Sequence, residues 1–193
     1  MDYRILTGSE ITEERYAEFE ALEHYTWPKG SYGYLPPEYV RSLYPDSFEG
    51  IFLAIDPDTD RLAGYFNAIL TDQENMKRYF AGSFTDLHSV PKEKGKDMVL
   101  YLYTANLYPQ YRGTSCMREL GMAFAAWLDS LAEQGYRFPD VYCETVSADG
   151  VRTAVSGFGM IPMADVDENG LGHYHNGNGL AEYREAMRAL REE

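Results

Sequence analysis

The chain has 193 residues, 45% hydrophobic and 25% charged, a globular composition with no apolar run near the roughly 18 residues that cross a bilayer. Its 17 Lys and Arg stand against 31 Asp and Glu, and the net charge of -14 repels nucleic-acid phosphates and attracts cations. Two cysteines, Cys116 and Cys143, are too few for a disulfide framework or a thiolate zinc site, and Met1-Asp2-Tyr3-Arg4 lacks the basic, apolar pattern of a leader, so one cytoplasmic domain over 1–193 is expected.

Residues 3–7 are β-prone, and Ser9 or Thr12 can cap a helix that carries Tyr16, Phe19 and Leu22 on one face. From Trp27 to Pro37 proline, glycine and tyrosine are too frequent for a regular element, so this is a loop. Pro37 opens a short second helix with Tyr39, Val40 and Leu43 inward and Pro45 past its end. Two apolar runs, 50–56 and 61–70, flank Pro57-Asp58-Thr59-Asp60 and predict an antiparallel hairpin. Residues 72–97 are polar, with a short helix near Glu74 to Phe80 and then a surface excursion expected to be mobile.

Residues 98–107 are apolar on both faces, the pattern of a central strand covered from both sides. After the turn at 109–113, Met117, Leu120, Gly121, Phe124, Leu128 and Leu131 recur at helical spacing up to Gly135, and 141–146 forms another strand. A strand, a crossover helix and a strand set 98–107 and 141–146 side by side and parallel. A short helix near 149–156, strands near 158–163 and 171–176 around an acidic loop, and a last helix over 180–192 complete a mixed α/β sheet with flanking helices, its core over 1–176. Leu180, Tyr183, Met187 and Leu190 have the spacing to dock that helix on this chain or on a second copy, as in a homodimer.

The informative spot is the turn Gln110-Tyr111-Arg112-Gly113-Thr114-Ser115 between the central strand and the long helix. Orphan N–H groups and the positive end of the helix dipole favour an anion there, Gly113 permits close approach, and Arg112 adds a cation. The same residues also suit an ordinary capped strand-to-helix turn. Cys116, in the first helical turn, reads either as an activated thiol or as a small core side chain. His173 and His175 share a strand face, the spacing of exposed imidazoles or of a metal pair.

With Gln110, Gly113 and Ser115 in the spacing Gln/Arg-x-x-Gly-x-Gly/Ala, approached through Leu107-Tyr108-Pro109 and followed by Gly157-Phe158, the chain resembles the GNAT N-acetyltransferase superfamily over about 1–176. The resemblance implies a GNAT-like, mostly antiparallel sheet with one parallel, splayed strand pair. It also implies acetyl-CoA as cosubstrate, its pyrophosphate on Gln110, Tyr111, Arg112, Gly113, Thr114 and Ser115. The pantetheine would lie along Ala105, Asn106 and Leu107, with the N–H near Leu107 polarising the thioester carbonyl. Glu144 on the fifth strand is the first candidate for the base that frees the amine, with Tyr142, Tyr103 and Tyr174 as hydroxyls for an acid or for ordering water. Two departures stand out: Ser115 replaces the usual Gly or Ala, and Thr153 occupies the position where the family often has a tyrosine acid. The acidic balance and the tyrosines of 25–34 suggest a small-molecule amine or a protein amino group as acceptor. A noncatalytic acyl-CoA-binding domain and an interaction module on the same scaffold also fit these features.

Overall fold

The computed structural model describes residues 2–45, 48–82 and 84–192. Seven strands form one sheet: β1 (Arg4–Thr7), β2 (Ile51–Asp56), β3 (Arg61–Thr71), β4 (Asp97–Leu107), β5 (Arg137–Thr145), β6 (Ile161–Pro162) and β7 (Gly172–Asn176), in the order β1-β2-β3-β4-β5-β7-β6. Only β4 and β5 pair in parallel. Among the described residues the helices are α1 (Glu13–Thr26), α2 (Pro37–Ser42), α3 (Gln73–Ala81), α4 (Cys116–Glu133), α5 (Ala148–Arg152) and α6 (Ala181–Glu192), and none is long and apolar enough to cross a membrane.

Alternation along the strands divides the interior into two layers. Phe52, Phe66, Leu100, Leu102 and Val141 meet Leu120, Phe124 and Leu128 of α4 on one face, while Ile51, Leu53, Tyr65, Ile69 and Tyr101 meet Tyr16, Phe19 and Leu22 of α1 on the other. The hydroxyl of Thr12 caps α1 by accepting from the Arg15 N–H at 3.3 Å, and Asp72 caps α3 by accepting from Asn75 N–H at 2.9 Å. Gly135, at φ +90°, turns the chain out of α4 in the left-handed conformation that favours glycine. The last helix docks on its own chain: the Tyr183 hydroxyl donates to the Gly121 carbonyl at 2.8 Å, and Arg184 and Arg188 both bind Asp129 at 2.7 Å.

Three elements differ from the sequence reading. Strand β5 begins at Arg137, not at 141, because Pro139, which has no N–H to give a ladder, sits in an irregular stretch where Asp97 pairs with Arg137 and Val99 with Asp140. The helix near 149–156 becomes a π turn after Arg152, spanning Thr153–Gly157, with the Phe158 N–H bonded to Thr153 O at 3.0 Å. Strand β6 shrinks to Ile161–Pro162, since Phe158 and Met160 turn into the core and Asn176 Nδ2 holds the Phe158 carbonyl at 2.9 Å. The excursion after α3 is tied to the sheet, Val90 N–H bonding Leu70 O at 3.0 Å and the Thr71 hydroxyl donating to His88 O at 2.7 Å; Ser83, part of the same expectation, lies outside the described residues.

The feature that shapes the middle of the sheet is a bulge in β4. Asn67 pairs with Thr104 but Ala68 pairs with Leu102, leaving Tyr103 as an extra residue. Asn67, fully buried, repairs the interrupted ladder with its side chain: its Oδ1 accepts from the Thr104 N–H at 2.7 Å. Pairing of β4 with β5 stops at Leu102 and Cys143, immediately before the bulge. Bulged strands bend, and β4 continues beside β3 to Leu107 while β5 continues beside β7 to Thr145, so a wedge opens between them. Asn67→Leu, of similar volume but without an acceptor, is expected to lower stability by about 1–3 kcal/mol in urea unfolding, the usual cost of an orphaned buried N–H; an unchanged midpoint would show that the bulge does not depend on it.

Candidate active site

A cleft of about 670 Å3 occupies that wedge. Tyr103, Thr104, Ala105, Asn106 and Leu107 of β4 form one wall and Cys143, Glu144 and Thr145 of β5 the other, with α1 and the loop after it above and the start of α4 at one end.

The α4 end is built for an anion. Gly113 has φ +76°, and a Cβ added there would meet no atom within 4 Å, so the backbone is open to an incoming group. Among the described residues, the N–H groups of Met117 and Arg118 have no acceptor, as the first turn of a helix leaves them, and neither has that of Gly113 in the turn before it. Arg112 and Gly113 line the cleft, and Arg112 makes no ion pair among the described residues. The neighbouring predicted residues do other things. Tyr111 turns away and donates to Asp56 Oδ2 at 2.7 Å, lowering that carboxyl's pKa; Gln110 is exposed and does not line the cleft. The Thr114 hydroxyl oxygen, one residue before the N-cap Ser115, accepts from the Cys116 N–H at 3.3 Å, and Ser115 donates to Glu119 Oε1 at 2.5 Å. Cys116 is buried and its thiol is pushed up to about 12 by that burial, the opposite of activation by the helix dipole.

The other end gathers acid and aromatic groups on the α1 face of the sheet. The bulge turns Thr104 and Asn106 toward that face, where they meet Glu23, a residue that sequence reasoning did not single out. Glu23 Oε1 accepts from the Tyr65 hydroxyl at 2.6 Å and from the Thr104 hydroxyl at 2.7 Å, and Asn106 Nδ2 donates to the Tyr65 oxygen at 2.8 Å. Burial raises the Glu23 pKa above the ordinary carboxylate value, against the opposing pull of the hydrogen bonds from Tyr65 and Thr104 and of nearby His24. Tyr103 lines the cleft beside it, its phenol also held well above its usual value by burial, so the hydroxyl keeps its proton. Glu144 faces the cleft from β5 and accepts from the Tyr32 hydroxyl at 3.0 Å.

Other sequence candidates stand apart from this group. Tyr142 does not line the cleft; its ring packs on His175 at 4.6 Å and Phe80 at 5.4 Å. Tyr174 points into the α4 layer, where its hydroxyl donates to Gly170 O at 3.0 Å. His173 and His175 share a face as expected but bind separate carboxylates, Asp165 at 2.6 Å and Asp140 at 3.0 Å. Thr153 lines the cleft with its hydroxyl turned back to Asp149 O at 2.9 Å.

No protein-family model matches the sequence, and no curated protein sequence matches it. Solved structures do. Naa50 of Arabidopsis thaliana, in complex with a bisubstrate analogue, is 12% identical, aligns with 91% of this chain and 99% of its own, and gives a TM-score of 0.57. Arabidopsis thaliana NAA60 in complex with acetyl-CoA is 14% identical over 90% of this chain and 97% of its own, with a TM-score of 0.55. Arylalkylamine N-acetyltransferase 2 from Aedes aegypti is 15% identical over 92% of this chain and 99% of its own, with a TM-score of 0.56. The chain has the GNAT fold. In this GNAT fold the mostly antiparallel sheet, its one parallel pair and the flanking helices are those expected from the sequence.

The raised pKa of Glu23 has a consequence for folding. A carboxyl that binds its proton more tightly in the folded state contributes stability at low pH that is lost as pH rises from the unfolded value, about 4.3, through the folded one. Glu23→Gln lacks this loss, so its stability relative to the wild type is expected to increase across that window in urea unfolding at successive pH values. A pH-independent difference would contradict the burial of Glu23 as the dominant effect.

Proposed function

We propose that the protein is an acetyl-CoA-dependent N-acetyltransferase acting on a primary amine. The observation that carries this reading is the polarity of one cleft. Its α4 end offers N–H groups unpartnered among the described residues, Gly113 and Arg112, whereas its α1 end offers Glu23, Glu144 and tyrosine hydroxyls, the two ends joined by a stretch of β4 whose edge toward β5 is free. The residues fit the cosubstrate: a pyrophosphate suits the open backbone at Gly113, and a pantetheine arm suits the edge of Ala105, Asn106 and Leu107 that β5 leaves free. The GNAT fold of acetyltransferases solved with CoA ligands supports the same placement.

Bound acetyl-CoA would supply a thioester whose carbonyl carbon the amine attacks, a C–N bond forming as the C–S bond breaks. An ammonium has no lone pair, so the chain must first take a proton. Glu23 is the base in this reading: its raised pKa brings it closer to neutrality than an exposed carboxylate, and Tyr65 and Thr104 fix its position. Tyr103 donates a hydrogen bond toward the departing sulfur, taking the role left open by Thr153. Glu144 orients the incoming cation from the opposite wall.

Acetylation of a primary-amine panel, followed by release of CoA thiol, tests the reading. The wild type is expected to turn over, its kcat falling on the acid side as Glu23 protonates. Glu23→Gln should lose roughly 100-fold or more in kcat together with that acid limb, the scale of general-base removal. Tyr103→Phe and Glu144→Gln should each lose about tenfold, whereas Tyr142→Phe, outside the cleft, should stay within about twofold. An unchanged acid limb in Glu23→Gln would return the base to Glu144 or to solvent.

A further inference from the structure

We infer that the acceptor is a small monoamine with an aromatic body, admitted beneath a strap that excludes polypeptide N-termini; this rests on the acetyltransferase reading above. The loop between α1 and α2 does not hang free. Ser31 N–H bonds Pro28 O at 2.9 Å, Tyr34 N–H bonds Ser31 O at 3.2 Å, and the loop folds so closely on Trp27 that a Cβ at Gly33 would lie 2.5 Å from its ring. This compact loop sends Tyr32 across the cleft to Glu144, linking the α1 wall to the β5 wall at 3.0 Å. A peptide presenting its N-terminus to Glu23 must lead the rest of its chain out past this link, whereas a small amine need not.

The lining selects further. Trp27, Tyr32, Tyr79, Tyr101 and Tyr103 line the same cleft as Glu23 and suit a flat apolar body carrying one positive charge. A polyamine needs a row of free carboxylates for its successive charges, and the cleft does not supply one. Asp149 pairs with Arg152 at 2.7 Å, and Glu23 is held by two hydroxyls in surroundings that disfavour its charge, which leaves Glu144 to meet a single cation, with Glu20 elsewhere in the lining.

The test uses the full chain with saturating acetyl-CoA and three acceptors: phenethylamine, spermidine and a pentapeptide with a free N-terminus. Phenethylamine is expected to exceed both others in kcat/KM by about tenfold or more, and Tyr32→Ala, which removes the strap from an exposed position, should narrow its margin over the pentapeptide by about threefold or more. Equal or better use of spermidine or of the pentapeptide by the wild type, or an unchanged margin in Tyr32→Ala, would overturn the inference. If none of the three turns over, the transfer reading fails separately, and calorimetry on the CoA-saturated protein still decides this one: phenethylamine binding about tenfold tighter than the pentapeptide supports it, and equal or absent phenethylamine binding overturns it.

Discussion

Everything at the site depends on where β4 and β5 stop pairing. Parallel ladders are ordinarily continuous, and this one ends at Leu102 and Cys143 because the next residue, Tyr103, is a bulge that bends β4 away. The bulge has two effects at once. It frees a strip of backbone along β4, and it shifts the alternation of side chains so that Thr104 and Asn106 face α1 instead of the α4 layer. Without that shift the polar residues would enter an apolar layer and Glu23 would lose two members of its network. Asn67 stabilises the arrangement from the neighbouring strand, with a side-chain acceptor in place of the missing backbone one.

The polar network around Glu23 is a local conflict that the surrounding fold holds in place. Burial disfavours the ionised carboxylate, and hydrogen bonds from Tyr65 and Thr104 only partly offset this. Residues in such surroundings titrate away from their usual values, and they occur where proton transfer is needed more often than elsewhere. The α4 end shows the complementary situation: donors left over by helix geometry, a glycine held in a left-handed conformation, and a guanidinium, that of Arg112, without an ion pair among the described residues. One cleft therefore presents opposite electrostatic character at its two ends, a property of placement that composition alone does not convey.

Much of this was legible in the sequence, for identifiable reasons. The hairpin at 51–71, the central strand and the long helix carry strong periodicity and clear breakers, and Gly113 stood out because a glycine between a strand and a helix has a specific backbone use. Glu23 was not singled out, although a signal existed: it follows Phe19 by four residues, so a carboxylate lies on the buried face of α1. Asn67 was a second signal, a polar side chain in the middle of an otherwise apolar strand. The bulge itself was not readable, because an extra residue in a ladder is defined by the partner strand. Strand parity alone does not tell which face of a sheet borders a cleft, and Tyr142 and Tyr174 lie in the α1 and α4 layers respectively.

The most direct measurement is a calorimetric titration with CoA of the wild type, Gly113→Asp and Gly113→Asn. Asparagine tolerates the left-handed conformation and is neutral, so the two variants differ mainly in charge at the position proposed for the pyrophosphate. Micromolar binding is expected of the wild type, retained within about tenfold by Gly113→Asn and weakened by about 100-fold or more in Gly113→Asp. No binding by the folded wild type, or equal affinity in the two variants, would contradict it.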